Sequence, residues 1–171
     1  MRTSPRRFAA IEILQIDIRQ SMANTYTCLF YHFVFSTKHR QPLVHADIQQ
    51  RVWAYIGGIA RAHDTSALKV GGVEDHVHIL LMAKPIHAPS DIAKWLKSDS
   101  SKWIHQEFPE LKNFAWQDGY GAFSVSRSKV PVVVDYIIRQ REHHERETFE
   151  DEYRKLMEFH EVEYDTRYLL D

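Results

Sequence analysis

Apolar residues fall into short, dense clusters along this chain, and the spacing inside each cluster names its element. Residues 25–36, TYTCLFYHFVFS, are apolar on both faces, as a central strand would be. Residues 46–63, ADIQQRVWAYIGGIARAH, place Ile48, Val52, Tyr55, Ile56 and Ile59 on one face of a helix. Gly57 and Gly58 weaken that helix and suggest close packing against a neighbour. SALKVGGV (66–73) and DHVHILLM (75–82) predict a hairpin that turns at Glu74–Asp75. A second helix is expected over residues 90–107, capped by Ser90 and Asp91, with Ile92, Leu96 and Trp103 on its buried side. Residues 113–126, NFAWQDGYGAFSVS, are strand-like and interrupted by Gly119 and Gly121, a region suited to act as a hinge. The third helix is expected over residues 130–145, VPVVVDYIIRQREHHE, with Ser128 as its cap and Pro131 in its first turn. Val130, Val133, Val134, Ile137 and Ile138 would supply its packing surface. Thr148 with Asp151 forms a capping pattern for a fourth helix.

The order is β-α-β-β-α-β-α-α, and its first six elements match a ferredoxin-like split βαβ arrangement. The expected class is therefore α+β, with helices on one sheet face and further helices after the last strand. Residues 1–21 do not share this periodicity and are taken as an N-terminal extension with no predicted order. Met22 opens a segment that looks like the start of a domain, so one domain is expected over residues 22–171.

Composition narrows the class. The chain has 171 residues, 44% hydrophobic and 26% charged, as an ordinary soluble domain has. No apolar run approaches the ~18 residues needed to span a membrane. A single cysteine, Cys28, precludes a disulfide within the chain. Glu12 and Asp17 interrupt the N-terminal apolar stretch and argue against a signal peptide. Net charge is −1, but it is unevenly spread. Residues 142–171 carry 11 acidic and 4 basic side chains, and residues 1–141 carry 18 basic and 12 acidic. Such asymmetry can hide a nucleic-acid surface behind a neutral total; a solvated acidic final helix would give the same numbers.

Candidate chemistry begins at VEDHVHILLM. Alternation puts His76, His78, Leu80 and Met82 on one face of the strand, and Val77, Ile79 and Leu81 on the other. Two imidazoles at i and i+2 can reach one metal ion, although half-exposed histidines on an open sheet face give the same pattern. In the third helix Tyr136, Gln140, His143 and His144 form one stripe.

Together these segments resemble the single-tyrosine transposases of the HUH endonuclease superfamily, which serve the simplest insertion sequences, and the related REP-associated tyrosine transposases. The resemblance rests on YHFVFSTKHRQPL, GVEDHVHILL, WQDGYGAFSVSRS, YIIRQREHH and VEYDTRYLLD, in that order, and covers roughly residues 22–171. It implies His76 and His78 as metal ligands, Gln140 as the third ligand and Tyr136 as the nucleophile. It also implies strand cleavage and rejoining on single-stranded hairpin DNA through a 5′-phosphotyrosine, and a homodimer with composite active sites. Three neutral ligands without a thiolate suit Mg²⁺ or Mn²⁺, with Zn²⁺ as the alternative. Lys38 and Arg40 after the first strand, and Arg127 and Lys129 before the tyrosine helix, are candidate phosphate contacts; Lys94, Lys97 and Lys102 read as ordinary surface. The expected setting is bacterial cytoplasm, on the nucleoid. The competing readings are a non-catalytic module for structured nucleic acid, a domesticated REP-associated nuclease, and a hydrolase that uses water instead of tyrosine.

Overall fold

Four strands pair into one antiparallel sheet in the order β2-β3-β1-β4. They are β1 Leu29–Ser36, β2 Ser66–Gly72, β3 His76–Ala83 and β4 Gly121–Val125 in a computed structural model. It describes residues 26–165; the expected extension and the end of the VEYDTRYLLD motif lie outside them. The strand order is that of the expected ferredoxin-like arrangement. β1 and β3 are the two central strands, which is why β1 reads as apolar on both faces and β3 as apolar apart from its two histidines.

One face of the sheet is covered by α1 (Ala46–Ala62) and α2 (Pro89–Glu107). Phe33, Phe35, Val77, Ile79 and Leu81 meet Val52, Ile56, Ile92 and Leu96 there in the main core. The other face carries α3 (Val130–Ile138), α4 (Gln140–His144) and α5 (Phe149–Phe159). Its core is small: Val34, Phe123, Phe149 and Tyr153.

Several expected details differ. Among the described residues Gly57 and Gly58 serve no close approach, since a β-carbon at either would meet only the Arg61 guanidinium at 3.8 Å. The N-cap of α2 is Ala88, without a side-chain cap bond, so Ser90 and Asp91 lie inside the first turn. Ser128 does not cap α3: its hydroxyl lies 3.1 Å from that of Ser126, in a 3-10 turn over Arg127–Lys129. The expected helix over 130–145 breaks at Arg139, whose φ of −92° and ψ of 12° leave the α region. Of its expected packing residues Ile137 is buried, whereas Ile138 is exposed. Gly121 is not hinge-like either, because it pairs with Val34 inside β4. Lys97, read as surface, ties down the preceding loop by donating to the carbonyls of Asp118 (2.8 Å) and Gly119 (3.1 Å). The Thr148 cap forms as expected, its hydroxyl oxygen accepting from the Asp151 amide at 3.2 Å.

Two glycines in β2 shape the second face. Gly72 adopts φ +156°, and a β-carbon there would fall 2.2 Å from the His76 carbonyl oxygen. At Gly71 a β-carbon would lie 2.8 Å from Ile137 Cγ2 and 3.0 Å from the Ile137 carbonyl oxygen. The absent side chain at Gly71 thus lets α3, the tyrosine helix, lie directly on the sheet. Gly71→Ala is expected to cost about 1–3 kcal/mol in chemical denaturation through overpacking. Wild-type stability in that variant would show that the close approach is not kept in solution.

Candidate active site

His76 and His78 point from β3 toward α3–α5, and both are fully buried. Their order on the sheet follows from register, with His76 opposite Ser36 and His78 opposite Val34 on β1. Each ring is held from behind. His76 Nδ1 donates to Asp75 Oδ1 at 2.7 Å, and His78 Nδ1 lies 3.0 Å from His32 Nε2. Metal-binding imidazoles are commonly oriented this way, with one nitrogen bonded to a partner and the other bare. The two Nε2 atoms converge: Gln140 Oε1 lies 3.0 Å from His76 Nε2, and Glu152 Oε2 lies 3.7 Å from His76 Nε2 and 3.4 Å from His78 Nε2. Among the described residues His78 Nε2 has no hydrogen-bond partner, and a buried polar atom without one is costly.

The site holds a carboxylate that the sequence did not suggest. Glu152 is 2% exposed, at the start of α5. Its Oε1 accepts from the Tyr136 hydroxyl and from Gln140 Nε2 at 2.7 Å, and its Oε2 lies 3.1 Å from His144 Nε2. The acidic final helix is therefore not simply solvated; one of its acids enters the site. A signal was present: Phe149, Glu152, Tyr153 and Leu156 share the apolar face of α5 at helical spacing, so Glu152 is an acid on an apolar stripe. His32 had a similar signal, alternating with Phe33 and Phe35 along β1.

Electrostatics follow from this packing. Burial alone would raise the Glu152 carboxyl, but His78, His144 and His76 around it hold it well below the usual carboxylate range. Burial, aided by the Glu152 charge, pushes the Tyr136 phenol well above its ordinary value. Burial lowers His78, with Glu152 opposing. At neutral pH the arrangement is a carboxylate beside a protonated phenol.

Of the sequence-predicted residues, the structure brings His76, His78, Gln140 and Tyr136 of one chain together. The basic candidates are less close. Arg40 lies on the rim of an open cavity of about 1350 Å³ that His144 and Asp75 also line, and it pairs with Glu150 at 3.6 Å. Lys38 is exposed beside it. Arg127 stacks over the Phe30 ring at 5.6 Å, and Lys129 is exposed in the same turn.

The family profile described as "Transposase IS200 like" matches residues 25–140. This chain belongs to the IS200-like transposase family. Among curated proteins, the ISDra2 transposase TnpA of Deinococcus radiodurans is 26% identical over 135 residues, 76% of this chain and 96% of that protein. The IS200 transposase of Salmonella typhimurium is 27% identical over 128 residues, 72% of this chain and 84% of that protein. A crystallised D. radiodurans protein assigned as a transposase superposes with a TM-score of 0.59 at 25% identity, covering 71% of this chain and 98% of that one. A REP-associated tyrosine transposase bound to a REP hairpin shares the fold, with a TM-score of 0.52 at 16% identity over 74% of each chain. The family places DNA cleavage and rejoining as the general activity of this IS200-like transposase. Among the described residues no helix is long and apolar enough to cross a membrane.

Proposed function

We propose that this transposase cleaves and rejoins single-stranded DNA at hairpin ends, with Tyr136 as nucleophile and a divalent metal at His76, His78, Gln140 and Glu152. The observation that carries it is the convergence of four ligand atoms on the side of the sheet where Tyr136 also lies. His76, His78 and Glu152 offer atoms within 4.8 Å of one another, all buried. His76 Nδ1 is bonded to Asp75 Oδ1, and its Nε2 and Gln140 Oε1 lie 3.0 Å apart, a spacing at which two donor atoms can share a cation. The Glu152 carboxylate adds charge to an otherwise neutral donor set, so nitrogen and oxygen ligands together suit Mg²⁺ or Mn²⁺, with Mn²⁺ favoured by the imidazoles. A bound ion would neutralise charge on the phosphate and orient it.

The chain's own residues do the rest. The Tyr136 oxygen attacks phosphorus, the bond from phosphorus to the 3′ oxygen breaks, and the strand is left as a 5′-phosphotyrosine and a free 3′-OH. The tyrosine proton is lost and the 3′ oxygen gains one, so the exchange is balanced. Attack by another 3′-OH reverses it without an external energy source. Arg40, which lines the open cavity, and the exposed Lys38 would hold the phosphates of an entering strand, and Arg127 and Lys129 would hold flanking DNA.

The test uses labelled single-stranded oligonucleotides that tile the DNA flanking the gene, with Mn²⁺ or Mg²⁺, on a denaturing gel. A covalent protein–DNA band supports the reading. Cleavage without a band would favour hydrolysis by water, and binding without cleavage would favour a non-catalytic module.

For the assembly we propose a homodimer. Because one chain brings Tyr136 to its own histidines, the geometry supports in-chain sites over composite ones. Verified heterodimers of a Tyr136→Phe subunit with a His76→Ala subunit are then expected to stay inactive. Recovery of the covalent band would assign the tyrosine to the partner's site.

A further inference from the structure

We infer that Glu152 is a positioning residue that sets Tyr136 and Gln140 in their reacting places, so that α5 completes a site otherwise built within residues 25–140. This rests on the function proposed above and deepens it.

The need for such a residue comes from the break at Arg139. Tyr136 ends up on α3 and Gln140 on α4, so a continuous helix does not fix one relative to the other. Glu152 supplies the missing link. A single carboxylate oxygen, Oε1, accepts from both the Tyr136 hydroxyl and Gln140 Nε2.

The second reason is the chemistry of an amide. A glutamine side chain presents either oxygen or NH₂ to a neighbour, and only its hydrogen bonds decide which. Glu152 accepts from the NH₂ end, which turns Oε1 to His76 and His144, at 3.0 and 3.1 Å. Without that acceptor the amide is free to turn over and offer donors to the histidines, and a donor cannot be a ligand.

Glu152 is itself held firmly. Thr148 caps its helix, Phe149 stacks on the His76 ring at 4.3 Å, and Tyr153 packs in the small core with Val34 and Phe123. The carboxylate is thus a rigid bracket, and misplacement of a nucleophile by about 1 Å can cost on the order of 10²-fold in rate.

The experiment compares wild type, Glu152→Gln and Glu152→Asp in single-turnover formation of the covalent band, with Mn²⁺ raised until the rate no longer changes. Saturation removes any contribution from weakened metal affinity. Both variants are expected to fall about 10²-fold in plateau rate, with hairpin affinity and thermal midpoint near those of wild type. An unchanged plateau rate would overturn the inference and leave Glu152 as ligand or scaffold. A faster rate would overturn it too, and make the carboxylate a plug. A second measurement needs neither DNA nor metal. With 3-fluorotyrosine incorporated at position 136, the fluorine resonance is expected to shift between wild type and Glu152→Gln. Coincident resonances would overturn the inference. A wild type that forms no covalent band on any oligonucleotide would count against the proposed function, and the fluorine result would still decide the contact.

Discussion

Tyr136→Phe is expected to eliminate the covalent protein–DNA band, a loss of at least about 10³-fold, while hairpin binding and metal affinity stay near wild type. Only the hydroxyl is lost, so the ring keeps its edge contacts with His32 and His78, with ring centres 6.1 and 5.7 Å apart. The variant also removes a donor to Glu152, whose Oε1 keeps Gln140 Nε2 as a partner. The stability cost is therefore expected to be small, on the order of 1 kcal/mol. A band that persists in Tyr136→Phe would move the nucleophile elsewhere. Tyr120 and Tyr153 would be tested next, although Tyr153 is poorly suited, since its ring is buried in the small core with Val34 and Phe123.

His76→Ala is expected to abolish metal-dependent cleavage and to weaken Mn²⁺ binding by about 10²-fold or more, measured by calorimetry. The substitution removes the ring between Asp75 and Gln140, and with it the surface on which Phe149 stacks. A drop in thermal midpoint should therefore accompany the chemical effect. His76→Asn, which keeps a polar side chain, gives a control for packing. Cleavage at the wild-type rate in either variant would show that the metal assignment is wrong.

How much of this was legible beforehand differs by element. The split βαβ order could be read because β1 and β3, buried on both faces, are apolar apart from His32, Ser36, His76 and His78, while α1 and α2 show clean helical periodicity. The His76–His78 pair was legible from alternation alone. Tyr136 and Gln140 were found on a helix taken as continuous, and the break at Arg139 carried no glycine or proline to announce it. The caps at Ser90 and Ser128 failed for a related reason: a residue suited to capping marks a helix start only when the chain enters at that residue. Pro89 and Val130 begin these helices instead. Glu152 lay in an acidic tract, where charge counts conceal a single buried acid. Asp75 was read as a turn residue, and its role behind His76 depends on side-chain direction, which spacing does not give.

The two sides of the sheet are unequally anchored. Among the described residues, the core under α1 and α2 gathers 21 buried apolar side chains, whereas the cluster on the histidine face gathers four, with Phe30, Leu80 and Ile137 also buried on that side. Local opening free energies follow buried apolar contact, so the layer of α3–α5 belongs to the weakly protected end of the molecule while the sheet beneath it belongs to the strongly protected end. The chemical groups are therefore divided between two layers of unequal protection. The histidines belong to the sheet and the tyrosine, the amide and the carboxylate to the helices, so amide hydrogen exchange is expected to be slower along β3 than across α3–α5.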